Sequence, residues 1–226
     1  MNIEKIALLT RKYESNGNPG LVSSGKGDIG GKSYGLYQFA SNIGIVDSFV
    51  SWLCFYPDNA LANYGRALKQ YAVNSEEFIS TWEYLGKVDP GHFGQLQDEY
   101  IIHEYYDKVV QKLKLNYFNV DNHSDAIKAV TLSRTIQNGV SGCVRLFNIV
   151  IAKLGYSNLS YIDNIYFDRS FISAVYDFLI EECDSAYLRS DGWYRSTYDF
   201  CHGGNNIIYG LRNRFVHEKE DALSML

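Results

Sequence analysis

The sequence predicts a mainly α-helical domain with a small β-hairpin lobe. Apolar residues recur at spacings of three and four through most of the 226 residues, which is the periodicity of helices packed on a core. The chain holds only 3 prolines, and seven of its 19 glycines fall between residues 17 and 35. That cluster marks the one stretch in which an exposed hairpin or loop interrupts the helices. No linker or internal repeat divides the chain, so we expect a single domain over residues 1–226.

The elements follow in order along the chain. Ile3, Ile6, Leu9 and Tyr13 share one helical face, and the breakers Asn16-Gly17-Asn18-Pro19-Gly20 end that first helix. Asp89-Pro90 is a typical N-cap and first-turn pair for a later helix. The remaining helical patterns cover residues 42–56, 59–73, 75–85, 90–113, 123–138, 144–154 and 172–179, with a break at Asn138-Gly139.

Several charged segments are predicted to face solvent. Asp98, Glu99 and Glu104 are assigned to the solvent-exposed face of the long helix around Ile101 and Tyr105. Glu181-Glu182 and the run Glu218-Lys219-Glu220-Asp221 are also interpreted as solvated charge near the end of the chain.

Composition excludes several classes of protein. Aromatic residues make up 15% of the chain, so it is not a disordered or low-complexity sequence. A net charge of −5 is unlike the basic excess of nucleic-acid binders, so we expect no nucleic-acid partner. No apolar run approaches the ~18 residues of a membrane span. Four scattered cysteines and five unpaired histidines show no metal-ligand spacing, so we expect buried thiols, no metal and no cofactor.

The N-terminus carries no recognisable targeting signal. Met1-Asn2-Ile3-Glu4-Lys5 has an acidic residue and no long apolar run, so a signal peptide is not expected. We therefore expect synthesis in the cytoplasm and another route of delivery for any function outside the cell.

Glu14 and Asp28 are the candidate catalytic groups. Glu14 lies at the C-terminal end of the first helix, where exposed carbonyls and the neighbouring Tyr13 favour the protonated carboxyl that a general acid requires. Asp28 follows fourteen residues later among small residues that let the chain turn back. A Glu in an apolar setting facing a solvated Asp is the arrangement that cleaves glycosidic bonds.

Three motifs in order carry a family resemblance. They are Glu14-Ser15, Gly27-Asp28-Ile29-Gly30 and Tyr34-Gly35-Leu36-Tyr37-Gln38. The sequence resembles the lysozyme-like superfamily at these residues, and within it the goose-type lysozymes and lytic transglycosylases. The resemblance implies an α+β lysozyme-like fold whose hairpin lobe lies beside an active-site groove. It also implies cleavage of the β-1,4 bond between N-acetylmuramic acid and N-acetylglucosamine in peptidoglycan.

The resemblance also implies roles for individual residues. Glu14 is the catalytic acid and Asp28 positions water. By the same resemblance Tyr34, Gln38 and Gln137 line the sugar cleft. Ser15 and Ser33 are further expected substrate-binding residues. Tyr105 is also expected to reach the groove, with packing in the core as the alternative. The hairpin is one residue longer than in the goose-type pattern, and Ala40 and Ser41 stand where a second acid often follows the Gln. Asp47 is the next acid along the chain, and we keep it as the fallback base.

Four alternatives remain open at the level of function. Without a base at the right distance, the muramic 6-hydroxyl attacks instead, as in a lytic transglycosylase with anhydro products. A chitosanase or a chitinase uses the same pair of catalytic carboxyl groups. A wall-binding structural tail protein would keep the groove without catalysis. The expected partners are peptidoglycan strands, with phage tail or injection-machine components as the delivery route of a phage lysin or an injected effector.

Overall fold

The structure is a computed structural model that describes residues 3–25 and 31–226. These residues form two compact units. The small unit is Thr10–Glu104, and the large unit is Tyr105–Leu226 together with the residues up to Leu9. Helix α1 contributes to both. The prediction of one domain over the whole chain stays a prediction.

The described part of the chain is mainly α-helical, as predicted. Its helices are α1 (Ile3–Glu14), α2 (Ile45–Cys54), α3 (Asn59–Leu68), α4 (Glu76–Val88), α5 (Pro90–Ile101), α6 (Asp107–Lys114), α7 (Asp125–Lys153), α8 (Asp168–Asp184) and α9 (Asn205–Ser224). Its strands are β1 (Ser33–Tyr34), β2 (Phe39–Ala40), β3 (Tyr187–Leu188), β4 (Tyr194–Arg195) and β5 (His202–Gly203). No helix among these is long and apolar enough to cross a membrane.

The small unit carries the hairpin. Strands β1 and β2 pair antiparallel with Ser33 opposite Ala40, and Val22 adds a bridge to Tyr34. Behind the hairpin lies a cluster of buried aromatic rings in which Trp82 contacts Phe49 and Phe93, with ring centroids 5.6 and 5.0 Å apart. Aromatic pairs of this kind contribute about 0.5–1.5 kcal/mol each beyond the area they bury, so the hairpin rests on a rigid base.

Capping residues fix where the helices of the small unit begin. Asp58 accepts hydrogen bonds from two backbone N–H groups at the start of α3, and Ser75 accepts one from Phe78 at the start of α4. The predicted Asp89-Pro90 start of α5 is confirmed, since Asp89 accepts from the backbone N–H of His92. Each such cap is worth about 1 kcal/mol relative to alanine.

The large unit is a packing of α6 to α9 with the three-stranded antiparallel sheet β3-β4-β5. The predicted break at Asn138-Gly139 is confirmed inside α7, where Gly139 has φ 72° and ψ 168°. The end of the chain corrects one prediction: Glu218 lies on α9 and is fully buried rather than solvated. The prediction of solvated charge is wrong for Glu182 as well, since it is buried and its carboxylate accepts a hydrogen bond from the backbone N–H of Tyr198.

Candidate active site

The C-terminal end of α1 presents Glu14. It is the last residue of the helix and is half-buried, and the buried Ser15 follows it. The backbone N–H of Ser15 still donates to the Arg11 carbonyl, 3.2 Å away. Asn16 and Gly17 then adopt the left-handed conformation, with φ of 55° and 77°, and turn the chain away from the helix axis. The helix end predicted for Glu14 is therefore confirmed.

The loop after Glu14 is clamped to α4 and α5. The Pro19 carbonyl accepts hydrogen bonds from Trp82 Nε1 at 3.0 Å and from Gln97 Nε2 at 2.9 Å. Gly86 on α4 lies against this loop so closely that a Cβ on it would fall 2.3 Å from the Gly20 Cα. Both hydrogen bonds to the Pro19 carbonyl are buried, so they fix the position of the segment that follows Glu14 against α4 and α5.

The same glutamine also holds the Tyr34–Gln38 segment. Gln97 is fully buried, and its Oε1 accepts a hydrogen bond of 2.7 Å from the backbone N–H of Leu36. Gly35 has φ of +71°, and a Cβ there would lie 2.1 Å from Gln97 Oε1. Only glycine fits this position, because any side chain would collide with the amide that bridges the two motifs.

Asp98 makes a second bridge, which joins Arg11 of α1 to Tyr37 of the segment Tyr34–Gln38. One of its oxygens accepts from Arg11 Nε at 2.8 Å and from the Tyr37 hydroxyl at 2.6 Å, and Arg11 Nη2 ion-pairs with its other oxygen. Burial raises the pKa of Tyr37 to about 12, with Arg11 acting in the opposite direction. The hydroxyl therefore stays a neutral donor, and Arg11 is tied one helical turn before Glu14.

Gln97 and Asp98, which are consecutive on α5, thus contact both the segment that carries Glu14 and the segment Tyr34–Gln38. The prediction that Asp98 lies on a solvent-exposed face is wrong, since it is 3% exposed, and the sequence predicts no role for Gln97. A single sequence does not show partners 61 to 87 positions away. The sequence signal that could indicate their burial is the position of Gln97-Asp98 in α5, where the nearby apolar residues Leu96, Tyr100 and Ile101 are buried.

Gln38 lies in the turn between β1 and β2. It is a non-glycine residue with φ of 52°, a conformation that L side chains adopt rarely. Its side-chain amide donates to the Gly35 carbonyl at 3.1 Å, and the residue is half-buried. Strained backbone of this kind concentrates at functional sites, which agrees with a role for Gln38 in binding.

The structure places Tyr34 in the core rather than in an open cleft, and it leaves Ser33 half-buried. Tyr34 is fully buried, packs edge-on against Phe78 and Trp82, and donates its hydroxyl to Asn74. A ring enclosed in this way supports the hairpin from behind and has no exposed face. Ser33 is half-buried, and its backbone pairs with Ser23.

Asp28 lies outside the described residues. Gly25 and Gly31, which are described, approach each other so closely that a Cβ on Gly25 would fall 2.7 Å from Gly31. Asp28 is three residues from each of these glycines along the chain.

The other two predicted binding residues belong to the large unit. Tyr105 is half-buried in the π-helical turn Ile102–Tyr106, a type of turn that is frequent at functional sites. Gln137 is half-buried on α7, and its Oε1 accepts a hydrogen bond from Arg134. The structure thus gathers Glu14, Ser15, Ser33, Tyr34 and Gln38 in one unit, and Tyr105 and Gln137 in the other.

Across residues 3–25 and 31–226, no group of three or more His, Cys, Asp or Glu side chains could hold a metal ion. The buried His123 has carboxylate partners on both ring nitrogens, at 2.6 Å from Asp168 and 3.1 Å from Asp163, and so serves structure.

Replacing Gln97 tests the bridge. In Gln97→Leu the buried N–H of Leu36 loses its acceptor, which costs about 1–3 kcal/mol in the free energy of unfolding. We also expect activity to fall more than stability requires, since the two motifs lose their common support. Denaturant unfolding measures the first effect. Gln111→Leu, at an exposed position of α6, is the matched control, and an equal loss in both variants would contradict the bridging role.

Comparisons with known proteins identify the family and the fold of the chain. A family model described as the C-terminal region of VgrG3-like type VI secretion system spike proteins matches residues 7–203. The chain is 25% identical over 217 residues to type VI secretion system spike protein VgrG3 of Vibrio cholerae serotype O1. That alignment covers 96% of this chain and 18% of the relative, so the chain spans less than a fifth of the relative's length.

Solved structures share the fold. The native chitosanase of Bacillus subtilis MY002 superimposes with a TM-score of 0.59 at 19% identity, covering 100% of this chain and 92% of that one. A glutamate-to-alanine mutant of that chitosanase, complexed with 6 GlcN, gives a TM-score of 0.58, also at 19% identity and with the same coverage. The fold is therefore the mainly α, lysozyme-like one of these glycoside hydrolases, and the chain belongs to the VgrG3-like C-terminal family of type VI secretion system spike proteins.

Proposed function

We propose that the chain cleaves β-1,4 bonds between amino sugars, with Glu14 as the general acid. The observation that carries the proposal is the double attachment of the site to α5. Gln97 and Asp98 hold the segments of Glu14 and Gln38 in place, as a preorganised site requires. The lysozyme-like fold, which chitosanases share, adds support. The substrate we propose is the glycan of peptidoglycan, at the bond between N-acetylmuramic acid and N-acetylglucosamine.

The mechanism follows from the chemistry of a helix-end carboxyl. Glu14 gives its proton to the glycosidic oxygen while positive charge grows on the sugar ring. In the hydrolytic, inverting form, Asp28 takes a proton from water on the opposite face, which requires about 6.5–9.5 Å between the two carboxyl groups. In the transglycosylase form the muramic 6-hydroxyl attacks in place of water and gives its proton to the Glu14 carboxylate, so the product carries an anhydro end.

The family suggests how the enzyme reaches its substrate. The matching family consists of spike proteins of a secretion system, which favours an injected effector over a phage lysin. We propose that the chain is made in the cytoplasm and acts on the cell wall after injection. Immunodetection of the chain in wall fractions of attacked cells, with a secretion-deficient donor as the control, tests this route.

A chitosanase is the second candidate. Two observations favour it: the solved chitosanases share the fold over the whole chain, and the net charge of −5 suits a cationic glucosamine polymer. Reducing ends released from chitosan and from purified cell walls at equal protein concentration separate the candidates. Release from walls alone supports the muramidase proposal, and release from chitosan alone contradicts it.

A wall-binding protein without activity is the non-enzymatic candidate. Such a protein needs no acid at position 14. Wall binding that is the same in the parent and in Glu14→Gln, with no product from either, would favour this candidate.

Replacing Asp28 distinguishes the two reaction forms. In a hydrolase, Asp28→Asn should reduce turnover by about 10²–10⁴-fold with little change in wall binding, because a base acts mainly in the transition state. In a transglycosylase the loss should be much smaller and the products should carry anhydro ends.

Asp47→Asn, at an exposed position in the first turn of α2, is the matched variant and also tests the fallback base. Full activity of Asp28→Asn with only hydrated reducing ends would contradict both forms. A loss confined to Asp47→Asn would move the base to that residue.

A further inference from the structure

An open groove on the small unit combines aromatic rings with carboxylates. It has a volume of about 680 Å³ and is lined by Trp52, Phe55, Tyr56, Pro57, Asp58 and Glu99. None of these residues belongs to the segments that carry Glu14 or Gln38. The groove therefore needs an explanation that the proposed cleavage site does not supply.

Phe55 is an aromatic residue of the groove whose ring is almost fully exposed. It lies at the C-terminal end of α2 and is 88% exposed, so its ring face is open to solvent. Trp52 and Tyr56 pack edge-to-face beside it, with ring centroids 5.4 Å apart. A concave surface built of rings with a few oriented polar groups is the usual composition of a small-molecule site.

The carboxylates give the groove its charge preference. Glu99 is oriented by the Tyr56 hydroxyl at 2.7 Å on one oxygen and by Gln95 Nε2 at 2.8 Å on the other. A carboxylate offers about four acceptor positions, so each oxygen keeps capacity for a ligand. Asp58 uses only Oδ1 for its cap bonds to Ala60 and Leu61. Two anionic groups beside open aromatic rings select a cation, through ion pairing and cation–π attraction.

We propose that this groove binds the protonated amino group of a glucosamine residue, with the sugar ring against Phe55. It would hold a stretch of partly deacetylated glycan on residues other than those that carry Glu14 and Gln38. The carboxylates of Glu99 and Asp58 receive the ammonium group, and an N-acetylated sugar lacks the charge they require. The proposal goes beyond the proposed cleavage and does not depend on Glu14 being catalytic.

The three tryptophans of the chain make the groove directly observable. Trp52 lines it, Trp82 is fully buried and donates to the Pro19 carbonyl, and Trp193 is in the large unit. Their indole N–H groups give separate NMR signals. The signal that disappears from the spectrum of Trp52→Phe belongs to Trp52. We would titrate the Glu14→Gln chain with glucosamine, and separately with N-acetylglucosamine, at about pH 6, where an amino group is protonated.

Glucosamine should shift the Trp52 signal in a saturable way, and N-acetylglucosamine should not. Glu99→Gln should weaken the glucosamine response about tenfold, because a charge-assisted contact is lost, while the exposed Glu77→Gln leaves it unchanged. Phe55→Leu, which keeps an apolar side chain but removes the ring, should also weaken it. No Trp52 shift, an equal shift with the acetylated sugar, or an unchanged response in Glu99→Gln would overturn the proposal. Loss of cleavage in the parent chain would leave these binding results untouched, so the two proposals fail separately.

Discussion

Glu14→Gln should reduce glycan cleavage by about 10²–10⁴-fold, the usual contribution of a general acid. Glutamine keeps the size and hydrogen-bonding capacity of the side chain but has no proton to give to the leaving group. The effect should appear in turnover rather than in wall binding, since proton transfer occurs only in the transition state. Initial rates on purified walls and a binding assay on the same walls measure the two quantities.

Glu4→Gln is the matched control for this variant. Glu4 is exposed in the first turn of the same helix, so its replacement makes the same chemical change without touching the site. We expect its rate to stay within a few-fold of the parent. A Glu14→Gln rate equally close to the parent would remove Glu14 from the mechanism.

Glu218→Gln should cause a large loss in the free energy of unfolding. Glu218 accepts hydrogen bonds from Ser133 and from Arg134 Nη2, and both members of the ion pair are fully buried. The guanidinium lies over the Tyr176 and Phe215 rings at 5.3 and 5.2 Å. Burial alone would lower the pKa of Arg134, but Glu218 raises it above the ordinary value, so the cation is kept.

Removing the carboxylate leaves that cation buried without its counter-charge, which costs about 3–5 kcal/mol. For a chain of this length we expect a fall in Tm of roughly 6–20 °C. Arg134 also donates to Gln137, so the change should disturb a predicted binding residue as well.

Two further variants separate the ion pair from a general effect of mutation on α9. Glu220→Gln, at an exposed position two residues later, should leave the Tm unchanged. Replacing both partners, as in Arg134→Met with Glu218→Leu, should recover much of the stability, because the fully buried guanidinium is removed together with its counter-charge. The half-buried Arg214, which also contacts Glu218, then loses a carboxylate. Equal Tm values for Glu218→Gln and Glu220→Gln would show that the buried pair does not hold the large unit together.

Local features of the chain were predictable from the sequence. The Asp89-Pro90 start of α5 and the break at Gly139 rest on backbone preferences that neighbouring residues express on their own. The end of α1 at Glu14 rests on the breakers that follow it. These signals depend on a few adjacent residues, so the fold class and the position of the candidate acid could be predicted.

Partners distant along the chain could not be predicted. Asp98 and Glu218 are charged residues in helices, and a solvated position is the usual expectation for such residues. Both are buried because Arg11 and Arg134, 87 and 84 positions away, supply the opposite charge. Tyr34 was assigned to the groove because its motif is there, but strand alternation turns its ring onto the aromatic cluster behind the hairpin.

Mass spectrometry of the fragments released from purified peptidoglycan tests the central claim most directly. The parent chain should release disaccharide-containing muropeptides, with hydrated reducing ends in the hydrolytic form and anhydro ends in the transglycosylase form. Glu14→Gln at the same concentration should release neither, while Glu4→Gln should match the parent. Muropeptide release by Glu14→Gln at the rate of the parent, or an intact glycan after treatment with the parent, would contradict the account.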